Sequence, residues 1–300
     1  MKGKIVIIGS SNTDMVIKAE HFPVPGETIL GHSFLMSQGG KGANQAVAAA
    51  RTGGDVTFIT KVGCDIYGEQ SIEKYKTEGI NTDYIISDSK NHSGIAFINV
   101  NASGENTIIV VQGANGNLKP TDIDQAITEI EQAEIILMQL EIPLETVEYV
   151  AEIASRKKIK VVLNPAPAQI IPDRLFKKLF LIIPNETEAE ALTGMLVTNI
   201  ETAQKAADII SSKGVQNVII TLGEKGALIK DNAGFRLIPA VKTQAVDTTA
   251  AGDTFCGTLC VAITEGNSIA EAAKIANKYS SLSVTRMGAQ SSIPYKKEIT

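Results

Sequence analysis

The stretch Val246-Asp-Thr-Thr-Ala-Ala-Gly-Asp-Thr-Phe255 holds the densest set of groups able to do chemistry. Small residues lead into a predicted helix beginning near Asp253, so free backbone N–H groups and the positive helix end can hold a transferring phosphoryl group. An aspartate there is also an ordinary N-cap, but its carboxylate would lie beside the anion site, well placed as a base. Upstream, Gln38-Gly-Gly-Lys-Gly-Ala-Asn44 sets three glycines around a lysine, letting the backbone pass close to a ligand at an entropic cost. Lys41 and Asn44, three apart at a predicted helix start, can point the same way; a plain loop and cap explains the segment equally well. Asn12 and Asp14 follow a first strand at i, i+2. In an extended chain they share one side, an amide and a carboxylate suited to vicinal hydroxyls, or else they form an Asx turn.

Two further segments are more ambiguous. Asn185-Glu-Thr-Glu188 has the Asn-x-x-Glu spacing of a capping box, which is its favoured reading. Thr221-Leu-Gly-Glu-Lys-Gly226 ends a strand in a tight turn, a hairpin by default and a nucleotide phosphate contact as the sharper alternative. Common motifs fail. A GxxxxGK[ST] phosphate loop would need glycine at Leu35 and a hydroxyl at Gly42, and a GxGxxG fingerprint is broken by Gln45. His21, His32 and His92 are scattered over predicted loop segments and suggest surface positions. Cys256 and Cys260, four apart on a helix face, read as small buried hydrophobes.

Positioning these groups requires a frame. Strands are expected at Ile5–Ile8, Val56–Thr60, Ile135–Leu140, Lys160–Leu163, Leu179–Ile183, Val218–Thr221 and Ala227–Lys230. Helices are expected at Gly42–Arg51, Gly68–Glu78, Asp122–Gln132, Leu144–Arg156, Glu186–Leu192, Glu201–Lys213, Thr254–Glu265 and Ile269–Val284. Continuous rather than alternating apolar strands predict an α/β domain of three layers, a mostly parallel sheet covered by helices on both faces. Residues 13–37 and 92–112 break this rhythm and predict a small β-sheet beside the main domain, a lid over a site. A single domain of 300 residues buries ample core. The formal charge of −5 argues against a nucleic-acid surface. No apolar run approaches the length of a membrane span, and the cysteine usage suits the reducing cytoplasm.

The whole set resembles the ribokinase family of carbohydrate kinases, also called the PfkB family, from Ile5 to about Pro294. One family signature is similar to Gly39-Gly-Lys-Gly-Ala-Asn-Gln-Ala46, the other to Asp247-Thr-Thr-Ala-Ala-Gly-Asp-Thr-Phe-Cys-Gly257, with Asn-Glu-Thr-Glu between them. Gly9-Ser-Ser-Asn-Thr-Asp14, Met138-Gln-Leu-Glu141 and Asn164-Pro-Ala-Pro167 resemble members that phosphorylate D-ribose at its 5-hydroxyl. That resemblance implies ATP as phosphoryl donor and Asp253 as base, with the N–H groups of Ala250, Ala251 and Gly252 facing the phosphoryl oxygens. It implies ribose contacts from Asn12, Asp14, Gly40, Lys41, Asn44 and Glu141, and nucleotide contacts from Asn185, Thr221, Gly223, Gly226, Gly252 and Asn277. It further implies Mg²⁺ reached by Glu188 through water, and K⁺ held around Asp247, Thr249, Ser283, Arg286, Gly288 and Ser292. Members of this family form dimers through the lid. Ala250 and Ala251 stand where many members have glycine, and Asn277 replaces a common histidine. The rivals are a kinase for 2-deoxyribose, fructose or a nucleoside, and a catalytically dead binding protein on the same fold.

Overall fold

A computed structural model describes residues 3–299. Its strands are β1 (Lys4–Ile8), β2 (Asn12–Lys18), β3 (Ser33–Gly39), β4 (Asp55–Gly63), β5 (Ile85–Asp88), β6 (Gly94–Val100), β7 (Asn106–Val111), β8 (Ile135–Met138), β9 (Lys160–Leu163), β10 (Leu181–Ile182), β11 (Asn217–Thr221), β12 (Ala227–Asp231) and β13 (Gly234–Ile238). The helices are α1 (Lys41–Thr52), α2 (Ile66–Thr77), α3 (Pro120–Ile123), α4 (Ile127–Glu131), α5 (Leu144–Lys157), α6 (Asp173–Phe176), α7 (Glu186–Thr193), α8 (Ile200–Ser212), α9 (Ala251–Thr264) and α10 (Ile269–Ser283).

Nine strands form the larger sheet, in the order β13-β12-β11-β10-β9-β8-β1-β4-β5. It is parallel except where β12 and β13 run antiparallel at one edge. The central strand β1 shows why its apolar run is continuous. Val6 and Ile8 belong to a core built with α5 and α8, while Ile5 and Ile7 belong to the opposite core with α1, α9 and α10. A strand buried on both faces has no position left for a polar residue. On the second face α1 and α9 pack closely; a Cβ on Gly257 would stand 2.4 Å from the Gln45 carbonyl oxygen. That closeness brings the start of α1 to the start of α9.

A separate sheet has the order β3-β2-β6-β7, built from the two segments that interrupt the α/β rhythm. Every residue of β7 is exposed, as are Phe34, Met36 and Phe97 on its neighbours. Several expectations need revision. Helix α9 begins at Ala251, so Asp253 lies inside its first turn and is not the N-cap. The helix expected over Asp122–Gln132 is split into α3, a 3₁₀ turn over Asp124–Ala126, and α4. The short strands β5 and β13 were not expected: IISD carries only two apolar residues, and GFRLI is interrupted by Arg236.

Candidate active site

The sugar-side candidates converge where β1 ends. Asn12 and Asp14 lie two apart on β2 as expected, and Asn12 pairs with Gly39 across the sheet. The Asp14 carboxylate occupies the space a Cβ on Gly39 would fill, since that atom would fall 2.1 Å from its Oδ2. A Cβ on Gly42 would fall 2.6 Å from the backbone of Gly9 and Ser10. A Cβ on Gly40 would fall 2.7 Å from the Asn12 nitrogen, so all three glycines around Lys41 make room for the protein's own groups, where the sequence suggested room for a ligand. Gly40, at φ 88°, precedes α1 and accepts the Asn44 N–H through its carbonyl.

Glu141 lies against the start of α1. Its Oε2 accepts from the Lys41 N–H at 3.1 Å and from the Ser10 hydroxyl at 2.5 Å, placing a negative group at a positive helix end. Asn12 is held by Asn115, whose Nδ2 donates to its Oδ1 at 2.7 Å and to the Ser11 carbonyl. Burial, with Glu141 and Asp253 nearby, pushes Asp14 up to about 7. Burial pulls Lys41 down, but the carboxylates of Asp253, Glu141 and Glu188 outweigh it and hold its ammonium above the ordinary value. Lys41 thus balances a concentration of negative charge that water does not screen.

Asp253 is buried, and each carboxylate oxygen has a donor. Asn44 Nδ2 stands 3.0 Å from Oδ2, and Gln45 Nε2 stands 2.9 Å from Oδ1. Asn44 Oδ1 is buried without a partner among the described residues. The turn before α9 is sharp because Ala250 adopts the left-handed conformation, φ 59° and ψ 11°, which disfavours an L-residue by roughly 1–2 kcal/mol. The Ala251 N–H is directed at the Thr248 carbonyl, 3.2 Å away. The next two N–H groups, of Gly252 and Asp253, have no acceptor among the described residues. The Ala250 N–H likewise has none among the described residues, so of the expected donors Ala250, Ala251 and Gly252 only Ala251 is engaged within the turn.

Two cavities meet at this turn. One, of about 200 Å³, is lined by Lys41, Asn185, Glu188, Thr221 and Ala250–Asp253. The other, of about 840 Å³, is lined by Gly223, Lys225, Lys242, Asn277 and Ser280 among others, and shares Thr248 and Ala251 with the first. Gly223 thus lines the large cavity, while Gly226 closes the β11–β12 turn through its N–H to Gly223. Asn277 spends its Nδ2 on the carbonyls of Ile238 and Pro239 at the cavity wall. Asn185 and Glu188 form the capping box: the Glu188 carboxylate accepts from both the N–H and the Nδ2 of Asn185. Burial raises Glu188 above its ordinary value despite the Asn185 N–H and Lys41.

Asp247 ties two loops together. Its Oδ1 accepts from the Thr249 N–H and hydroxyl, and its Oδ2 from the Gly288 N–H. Burial would raise it, but these donors together hold it below the ordinary carboxylate value. Ser283 and Ser292 turn their hydroxyls to the carbonyls of Ser280 and Ala289, and Arg286 pairs with Glu298. Cys256 and Cys260 are buried and unpaired, Cys256 at the wall of the smaller cavity, and all three histidines are exposed. Gln45, Asn115, Gln139 and Asn164 were missed as members of the site. Gln45, Gln139 and Asn164 each stood in a segment that carries the family resemblance, but only the fold links them to one another, and Asn115 carried no signal.

The profile of the pfkB family carbohydrate kinases matches residues 2–296. The chain belongs to that family. A ribokinase of Haemophilus influenzae is 45% identical over 99% of this chain and 97% of its own length. A deoxyribokinase of Salmonella typhi is 40% identical over 97% of this chain and 95% of its own. Among solved structures, an Arabidopsis thaliana ribokinase complexed with ribose and ATP superposes with a TM-score of 0.95 at 32% identity, covering 100% of this chain and 98% of that one.

Proposed function

We infer that this chain is an ATP-dependent ribokinase, moving the γ-phosphoryl group of ATP to the 5-hydroxyl of D-ribose. The observation that carries the reading is the position of Asp253. It stands on the first turn of α9 beside unbonded N–H groups and, with Lys41, lines the smaller cavity, which shares Thr248 and Ala251 with the large one. A sugar hydroxyl is a weak nucleophile, so Asp253 accepts its proton as the oxygen attacks phosphorus in line with the departing ADP. Charge on the transferring oxygens is met by backbone N–H groups of the α9 turn. Asn12, Asp14, Gly40, Lys41, Asn44 and Glu141 hold the sugar. Asn185, Thr221, Gly223, Gly226 and Asn277 serve the nucleotide. The β3-β2-β6-β7 sheet, from the insertions at about 13–37 and 92–112 of a single domain, closes over the sugar and excludes water.

Two ions complete the reading. Glu188, buried near Lys41 and lining the smaller cavity, suits Mg²⁺ held through water; when bound, Mg²⁺ neutralises phosphate charge. Asp247, with oxygens of Thr249, Ser283, Arg286, Gly288 and Ser292 on the loops it ties, suits K⁺, a large cation taking oxygen ligands. The exposed apolar residues of the small sheet suit a homodimer, and buried free thiols suit the cytoplasm. The match to a deoxyribokinase keeps 2-deoxyribose as the second reading. A coupled ADP-release assay across ribose, 2-deoxyribose, fructose, adenosine and no sugar tests both. The greatest kcat/KM with ribose is expected; a preference for 2-deoxyribose would replace the first reading by the second.

A further inference from the structure

Next to Asp253 lies a chain of amides that the reaction as written does not use. Gln45 and Gln139 are both fully buried. Gln139 Nε2 donates to Gln45 Oε1 at 2.5 Å, and Gln45 Nε2 donates to Asp253 Oδ1 at 2.9 Å and to Asn164 Oδ1 at 3.1 Å. Asn164 Nδ2 in turn donates to the Ile183 carbonyl at 3.0 Å. The direction of every amide is forced. An ionised carboxylate only accepts, so Gln45 must turn its NH₂ to Asp253. Asn164, fixed by Ile183, presents an oxygen to the second hydrogen. Gln45 is left facing Gln139 with its oxygen, so Gln139 must present its own NH₂.

Gln139, Asn164 and Ile183 immediately follow β8, β9 and β10, three neighbouring strands of the rigid sheet. Gln45 therefore refers the Asp253 carboxylate, on α9, to the ends of that sheet. We propose that Gln45, oriented by Gln139, is a positioning residue for the base. It pins Oδ1 so that Oδ2, shared with Asn44, keeps one direction toward the sugar hydroxyl. Burying neutral amides is costly unless they are bonded, and Gln139 Oε1 has no partner among the described residues. A methionine of similar size at Gln139 would remove that orphan but leave the buried Gln45 Oε1 without its donor. What the Gln139 amide enforces is the direction of Gln45, and through it that of Asp253.

The proposal rests on Asp253 being the base, so Asp253→Asn is assayed beside the other variants. For Gln45→Met, kcat is expected to fall tenfold to a hundredfold, roughly the effect of one hydrogen bond to a charged group. Its ribose KM should stay within about threefold, because the residue does not meet the sugar. Gln139→Met should lower kcat in the same direction, with some loss of Tm because the buried Gln45 Oε1 loses its donor, and should add nothing in the Gln45→Met background, since it acts through Gln45. Wild-type kcat in Gln139→Met, or a full multiplicative loss in the double variant, overturns the proposal even if Gln45→Met folds poorly. High residual activity in Asp253→Asn would instead overturn the assignment of the base.

Discussion

Asn44 is joined to Asp253: its Nδ2 holds Asp253 Oδ2 at 3.0 Å while its Oδ1 is buried with no partner among the described residues. A buried acceptor left open in this way calls for a ligand donor, and a sugar hydroxyl supplies one. Asn44→Ala should therefore raise ribose KM and lower kcat together, each by about tenfold or more. A change in only one of the two, measured by steady-state kinetics, would separate the roles that the geometry joins.

As a sugar ligand, Asp14 should make sugar binding depend on pH. Its folded value of about 7 lies well above the 3.8 of an unperturbed aspartate. The folded protein thus holds the proton more tightly than the unfolded chain. The stability this contributes is complete below pH 3.8 and is lost as pH rises through about 7. Ribose hydroxyls that donate to the carboxylate favour its ionised form, so binding near pH 6 should release a proton and should tighten as pH rises toward 7. Calorimetry in buffers of different ionisation heat should detect that proton, and the buffer dependence should vanish in Asp14→Asn. Asp14→Ala should raise ribose KM by roughly tenfold to a hundredfold. Buffer-independent heats in the wild type would remove Asp14 from the sugar site.

Asp247 joins the loop before α9 to the one after α10, through Thr249 and Gly288. A carboxylate near the phosphoryl site would repel the transferring group unless a cation lay between. K⁺ titrated into sodium- and potassium-free buffer should raise kcat or nucleotide affinity, Na⁺ should do so poorly, and Asp247→Ala should abolish the response. Full activity without K⁺ would leave Asp247 as a loop brace only.

The small sheet leaves Phe34, Ile108, Ile109 and Val110 exposed. Light scattering should give twice the 31.9 kDa chain mass, and Phe34→Asp with Ile108→Asp should shift it toward one chain. A monomer at micromolar concentration in the wild type would contradict pairing through this sheet.

The frame was largely legible because β1, β8 and β9 are buried on both faces and read as continuous apolar runs. The interrupting segments were legible because they carry neither pattern. The start of α9 was not. An alanine in the left-handed conformation leaves no mark in a sequence, and Asp253 looks like a cap whether or not it is one. The amide chain behind the base was hidden for another reason: Gln45 lies 94 residues from Gln139 and 119 from Asn164. Such neighbours are set by sheet order and helix packing, which no local spacing encodes.

Asp253→Asn is the most direct measurement. Asparagine turns an NH₂ toward Asn44 or Gln45, both already donors, so a stability loss of about 1–3 kcal/mol is expected. The fold and calorimetric ribose binding should survive. Turnover with saturating ribose and ATP should fall by roughly 10²–10⁴, the contribution of a general base. A variant that binds ribose and keeps half the wild-type turnover would show that the proton goes elsewhere.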